Sequence, residues 1–316
     1  MTLDQLVDKS QTETIEQEDK AKAKLAPLIT ADELKELIEA DSPNVKILEP
    51  GLDFADFSKA HLPRAQFLHW VNDMTDPEHV ERYNIPKKEQ FTQLMSRLGI
   101  HNDDRIVIYD RLHSRLSTRL FWTLKYFDHQ QVQVLDGGFA AWESKSFLLS
   151  KDNLEIVESE YVVSTTHSEL LADMEFVESQ RKDSNTVLID GRPGEQYSGN
   201  EPGRVFHTGE AHPRKGHIPG AVNIFWADNF NEDGTFKSAA ELRSLYANAN
   251  VKPGNDVITY CNEGLHASPP WFVLTQLLDY KNVRLYDSSM AEWAASEHPL
   301  KTDETADAKP KANADQ

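Results

Sequence analysis

The sequence predicts an α/β protein made of two copies of one unit, each a parallel sheet flanked by helices. Short β-branched runs alternate with amphipathic helical stretches through most of the 316 residues. That order places helices on both faces of a parallel sheet. The order then repeats in register. Asp110 precedes Trp142 by 32 residues and Cys261 precedes Trp293 by 32, while Tyr109 matches Tyr260 and Asp136 matches Asp287. His61-Leu62-Pro63 likewise matches His217-Ile218-Pro219. Self-similarity at fixed spacing is the mark of a duplicated unit.

In chain order, residues 1–24 form a polar extension rich in Gln, Thr, Glu and Lys, expected to be loose or disordered. The first copy spans 25–148. Thr30 caps a helix to residue 40, with Glu33 placed as in a capping box. Residues 45–48 read as a buried strand before the turn Glu49-Pro50-Gly51, and 61–65 as a loop. Residues 88–98 read as an amphipathic helix stopped by Gly99. A strand at 105–109, a helix at 115–127 and a strand at 132–135 follow. Asp136-Gly137-Gly138 is a turn before a short helix through Trp142, and not a phosphate loop, because no lysine and hydroxyl follow it.

A polar linker, 149–166, leads to the second copy, 167–300. There the order is a helix at 176–181, a strand at 186–189 ending on Asp190, and a long polar segment to Gly216-His217-Ile218-Pro219-Gly220-Ala221. A helix at 239–247 and a strand at 256–260 come next, then a loop, an apolar helix over 267–278, a strand at 283–286 and a helix through Trp293. Trp226 and Trp271 are read as packing residues. Residues 301–316 are polar and expected to be disordered.

The balance of 33 basic against 52 acidic residues gives a net charge of −19. This argues against nucleic acid and anionic membranes as partners. An anionic substrate would need local positive potential. The first residues lack the basic start and apolar run of a signal peptide. No apolar run approaches the roughly 18 residues of a membrane span. A cytoplasmic location is the expectation.

The one cysteine, Cys261, ends the 256–260 strand and begins the loop Asn262-Glu263-Gly264-Leu265-His266-Ala267. A single thiol excludes an internal disulfide and a cysteine-rich zinc site. At a strand's carboxyl end and a helix's amino end, unpaired N–H groups favour an anion. The thiol pKa is therefore expected to fall. The register sets Asp110 opposite Cys261. A carboxylate cannot accept a sulfur atom, so only the second copy can do cysteine chemistry.

Three stretches together resemble the rhodanese superfamily: residues 134–142 (Val-Leu-Asp-Gly-Gly-Phe…Trp), residues 216–224 around His217-Ile218-Pro219-Gly220, and the cysteine loop. The tandem layout, inactive copy first, is similar to thiosulfate and 3-mercaptopyruvate sulfurtransferases. The resemblance implies sulfur transfer from a small donor to a thiol or cyanide through a Cys261 persulfide, with no metal or organic cofactor. A protein thiol, such as a thioredoxin-like partner, is a further acceptor of this kind. The residues of 262–267 would cradle the persulfide's terminal sulfur through their N–H groups, and Gly264 would permit the close approach.

The loop departs from both patterns. Thiosulfate enzymes carry basic residues after the cysteine and mercaptopyruvate enzymes carry Gly-Ser-Gly, whereas this chain has Asn262-Glu263-Gly264. Glu263 would repel a dianion, which favours mercaptopyruvate over thiosulfate. Arg192 matches a family arginine and is either a substrate contact or an ion-pair partner. A substrate-binding arginine of the family falls on Gln196. Another falls near Val205, beside Arg204, which with Arg214 is a candidate anion contact. His61 occupies the position of a catalytic-network histidine and would pair with Glu263 across the two copies, or else serve structure as His217 does. His266 would assist proton transfer or cap loop carbonyls. A phosphatase or arsenate reductase of this fold would need a longer loop closed by an arginine, where this chain has Ala267 and Ser268. The remaining alternative is a sulfur-relay module loaded by a protein donor.

Overall fold

The computed structural model describes residues 25–76, 78, 84–206 and 208–303. The polar extension 1–24 therefore lies outside the described residues. The first copy runs β1 (Leu28–Ile29), α1 (Ala31–Glu39), β2 (Val45–Gly51), α2 (Phe54–Lys59), β3 (Ala65–His69), α3 (Trp70–Met74), α4 (Lys88–Arg97), β4 (Arg105–Ile108), α5 (Arg115–Tyr126), β5 (Val132–Leu135) and α6 (Gly138–Ser144). The second runs β6 (Leu171–Ala172), α7 (Met174–Gln180), β7 (Thr186–Asp190), α8 (Gly194–Ser198), β8 (Val222–Asn223), α9 (Ala239–Asn248), β9 (Asp256–Tyr260), α10 (Ser268–Phe272), β10 (Val283–Tyr286) and α11 (Ser289–Trp293). The capping boxes at Thr30/Glu33 and Ser238/Glu241 start α1 and α9, each satisfying orphan N–H groups reciprocally.

All pairings between named strands are parallel. The two five-stranded sheets share one order, β1-β5-β4-β2-β3 and β6-β10-β9-β7-β8. Adding five to each label of the first sheet gives the second, so the duplication is topological as well as sequential. The edge strands β1, β6 and β8 are two residues long, too short to show a pattern in sequence.

Side chains alternate across the sheets with the period of two that strands impose. Ile106 and Ile108 of β4 face a core shared by both copies, and Val107 and Tyr109 face a separate outer core. In β9, Val257 faces the shared core while Ile258 and Tyr260 face the outer core of the second copy. The next residue, Cys261, therefore returns to the shared face. The shared core is closed by α5 and α10, the two helices that follow the 110 and 261 positions. Phe121 meets Phe272 edge-on there, 4.9 Å between ring centroids. Burying one such ring contributes about 1.5–3 kcal/mol.

The apolar helix expected over 267–278 is α-helical only to Phe272, then widens into a π-turn over Val273–Leu277. Thr275 Oγ1 donates to Trp271 O at 2.8 Å, and Leu278 N reaches Val273 O at 2.9 Å, five residues back. A hydroxyl competing for an i−4 carbonyl is a known cause of such local widening. The linker is an ordered strap along the first copy. Tyr161 and Val163 are buried, and Ser159 N donates to Ser96 O. The tail departs from expectation at its start: Lys301 and His217 exchange backbone hydrogen bonds, and Asp303 N donates to Ser198 O.

Candidate functional site

Three backbone N–H groups converge on Cys261 Sγ, those of Glu263, Ala267 and His266. Gly264 makes the curl possible, with φ +76°; a Cβ there would lie 2.6 Å from Arg119 Nη1 and 2.8 Å from Asp287 Oδ1. Pro269 and Pro270 open α10, so two of the first helical positions bring no N–H. The donors that serve the thiol come from the loop. In the first copy the same concavity is occupied by its own side chain. Asp110 Oδ1 accepts from Leu112 N (2.7 Å) and Ser114 N (3.0 Å), and Oδ2 from Ser117 N (2.7 Å). His113 and Ser114, at φ 54° and 59°, supply the left-handed turn there. The fold thus builds an anion nest twice; one is filled by a carboxylate, the other by a thiol.

The expected fall of the thiol pKa is not what the closed site gives. Cys261 is 1% exposed. Burial pushes the thiol up to about 11, against the pull of the three N–H donors, and the Glu263 carboxyl adds to the rise. Loss of solvent here outweighs the nest.

The lid on the thiol is formed by residues 203–206 and 208–212. Val205 N donates to Glu210 O and His212 N to Gly203 O, both at 2.8 Å, and Arg204 pairs with Ala211 as an antiparallel bridge. Gly203 allows the lid to press on the loop, since a Cβ would fall 2.5 Å from Asn262 Oδ1. The cavity left over the sulfur is about 30 Å³, lined by Arg204, Phe206, Cys261, Asn262, Glu263, Leu265 and His266. That is room for one water.

Each loop side chain has a distinct setting. Asn262 Nδ2 donates to Gln196 Oε1 at 3.0 Å. Glu263 is buried; Oε2 accepts from Phe206 N at 2.8 Å while Oε1 has no hydrogen-bond partner. Burial pushes its carboxyl up to about 8. His266 stacks on Trp226 at 5.3 Å and its Nε2 lies 3.1 Å from Arg115 Nη1. Burial, helped by Arg115, lowers its pKa to about 3. The imidazole is therefore neutral at ordinary pH, and neither proton transfer as an imidazolium nor capping of loop carbonyls describes it. Trp226 is more than filler, because it carries both His266 and the Arg115 guanidinium, 4.8 Å from its ring.

The remaining candidates are dispersed. His61 does not pair with Glu263. It stacks on Phe57 at 3.9 Å, and its ring nitrogens face Phe57 O and Asp152 O. His217 repeats this arrangement on Tyr197, at 3.8 Å and with Nδ1 on Tyr197 O. Both histidines hold the entry to a strand, and His61 is not among the cavity's lining residues. Arg192 is fully buried and bound to Asp190 through Nε and Nη2, with Nη2 also on Gly216 O. The ion pair is the reading the geometry favours. Arg204 lines the cavity, its Nη1 donating to Gly209 O. Arg214 is spent on four carbonyls of residues 293–298.

Two contributors escape sequence reading. Ser289 Oγ accepts from both Cys261 N and Gly264 N at 3.1 Å and donates to Tyr286 O. Its φ is 49°, and it sits 28 residues after Cys261 as Gly138 sits 28 after Asp110. The register could have singled it out as a serine at a glycine's place. Arg119, from α5 of the first copy, is wholly buried and paired with Asp287 behind Gly264. Nothing in the sequence of α5 marks Arg119 for that role.

A duplicated parallel α/β unit with a cysteine in one nest and an aspartate in the other defines a tandem-domain α/β protein with a single thiol site. The rhodanese-like domain model matches residues 30–145 and again 173–296; the chain belongs to that family. It is 35% identical over 269 residues to the sulfur carrier protein TtuD of Thermus thermophilus, covering 84% of this chain and 93% of that one. It is 34% identical over 254 residues to a protein of Mycolicibacterium smegmatis provisionally named thiosulfate sulfurtransferase, covering 80% and 90%. Among solved structures, EanB bound to ergothioneine superposes with a TM-score of 0.79 at 20% identity, covering 89% of this chain and 71% of that one. That likeness is one of fold.

Proposed function

We propose that the protein moves sulfane sulfur through a persulfide on Cys261. The observation that carries this is the convergence of the Glu263, His266 and Ala267 N–H groups on Sγ, in a nest whose twin holds the carboxylate of Asp110. A thiolate attacks the outer sulfur of a donor, the donor's bond to that sulfur breaks, and the enzyme carries Cys261–S–S⁻. The acceptor, a thiol or cyanide, then takes the outer sulfur and returns the thiolate, a two-step cycle. The nest stabilises each anionic form in turn.

Among small donors, 3-mercaptopyruvate suits the site better than thiosulfate. Among the described residues Arg204 is the one cation lining the cavity, Arg192 is committed to Asp190, and Glu263 shares the cavity with the sulfur. A relay reading has its own support. The cavity of about 30 Å³ admits no small donor without movement of the 203–212 segment. A protein donor that displaces this segment would load the thiol directly, and a 35% identical relative is named a sulfur carrier.

Intact-mass analysis of the wild type and Cys261→Ser after incubation with thiosulfate, 3-mercaptopyruvate, a small persulfide or a protein persulfide tests both. Gain of one sulfur by the wild type alone supports the persulfide. Gain only from a protein persulfide selects the relay. No gain from any donor sinks the proposal.

A further inference from the structure

Resting on the Cys261 reading, we propose that Glu263 is the proton relay of the site: it takes the thiol proton and returns it to the thiolate that leaves the donor. The lining of the cavity narrows the choice. Arg204 is a cation, Asn262, Leu265 and Phe206 do not titrate, and His266 has its Nε2 bound by Arg115. Among the described residues Glu263 is the only carboxyl there. One oxygen is fixed by Phe206 N, so the group cannot swing away, and the other is buried without a hydrogen-bond partner. Glu263 and Cys261 line one cavity of about 30 Å³, room for one water to pass a proton between them. A buried acceptor left open is costly unless it has work to do.

Among the described residues, the charged and titratable neighbours do not compete for that proton. Arg192 is tied to Asp190, and Arg119 is tied to Asp287 behind Gly264. Arg115 holds His266. His212, beside Gly203 of the lid, is kept neutral by burial and by Arg192, with a pKa lowered to about 4. Tyr260 faces the outer core. Glu263 itself, held up at about 8 by burial, exchanges a proton within reach of neutral pH, where the thiol at about 11 does not.

The step balances without an outside oxidant or reductant. With an organic persulfide R–S–SH, the Glu263 carboxylate removes the Cys261 proton through a water in the shared cavity, and the thiolate attacks the outer sulfur. The S–S bond of the donor breaks, and its electron pair goes to R–S⁻, which takes the proton back from Glu263. The products are Cys261–S–SH and R–SH, with the carboxylate restored. One proton shared by the thiol and the carboxyl is what the active form requires.

The test is single-turnover loading of the full chain by cysteine persulfide across about pH 6 to about pH 10, followed by intact mass, for wild type, Glu263→Gln and Glu263→Asp. Gln keeps an oxygen for Phe206 N and loses only the titration. The expected wild-type rate rises through about pH 8. Glu263→Gln should lose the inflection at about pH 8 and load about 10²-fold more slowly there, keeping only the steady rise of a thiol that ionises at about 11. Glu263→Asp should retain an inflection. A Glu263→Gln protein that loads at the wild-type rate with the same profile overturns the relay and leaves the Cys261 persulfide standing. If Glu263→Gln does not fold, a wild-type profile flat between about pH 7 and about pH 9 overturns it. A wild type that gains no sulfur removes both.

Discussion

Arg115 of the first copy donates from Nη1 to Nε2 of His266 in the second, at 3.1 Å. A guanidinium has only donors, so the imidazole must accept there and carry its own proton on Nδ1. The cysteine loop is thus held from the opposite copy, with Trp226 beneath both groups. Arg115→Ala should cost about 2 kcal/mol of unfolding free energy, the scale of a hydrogen bond to a charged group. His266→Ala in the same background should then add less than it does alone, with a coupling of about 1 kcal/mol. Urea titrations of the two single variants and the double variant measure this; additive losses would refute the clamp.

Three histidines whose pKa is lowered make the fold sensitive to acid. His129, between Tyr161 Oη and Asp104 O, has its pKa lowered by burial to about 4, and burial likewise takes His212 to about 4 and His266 to about 3. The unfolded chain binds these protons below about pH 6.5 while the folded protein refuses them. Stability contributed by the three groups is therefore complete above about pH 6.5 and declines as pH falls toward 4, by up to about 1.4 kcal/mol per pH unit for each. Glu263 pulls the other way in the upper part of this range, because its folded pKa of about 8 exceeds its ordinary value. Unfolding at about pH 7 and about pH 5 in wild type and His129→Gln compares directly. The variant should show the smaller difference between the two, and an equal one would refute this account.

The two copies, their parallel sheets and the cysteine junction were legible because strand period, helix caps and register are properties of neighbouring residues. Asp110 opposite Cys261 could be read by counting alone. What was not legible depends on burial. The thiol pKa was expected to fall on account of the N–H donors, but the 203–212 segment removes the water that would make them decisive. The expected His61–Glu263 contact assumed that matched positions meet across the interface, whereas His61 faces Phe57 and the linker. The edge strands β1, β6 and β8 gave no periodicity at two residues each.

Ser289 binds the cysteine loop to the turn after β10, with one oxygen serving the N–H groups of Cys261 and Gly264. Ser289→Ala orphans two buried donors and should destabilise by about 1–3 kcal/mol. Ser289→Gly relieves the positive φ, as Gly138 does in the first copy, and yet orphans the same donors. It should therefore not be more stable than wild type. Persulfide loading should slow in both, because the loop that orients three N–H groups loses its outer support. Thermal melts paired with loading rates decide the matter, and a Ser289→Gly protein more stable than wild type would show that the hydroxyl carries nothing.

Gly264 meets two constraints at once, a φ of +76° and the Arg119–Asp287 pair against its Cα. Gly264→Ala pays the left-handed penalty of about 1 kcal/mol or more. It also drives a methyl into a buried ion pair whose disruption costs about 3–5 kcal/mol. Neither partner can yield easily: Arg119 lies between α5 and the loop with its guanidinium 4.6 Å from the Trp122 ring, and Asp287 Oδ2 accepts from Ile85 N. The expected outcome is a loss above about 3 kcal/mol, large enough to lower the yield of folded protein. Asp287→Asn in the Gly264→Ala background offers a check. It removes the charge of one partner but not its bulk, so steric displacement predicts no rescue. Recovery of wild-type stability in that double variant would show that charge, not space, fixes a glycine at this position.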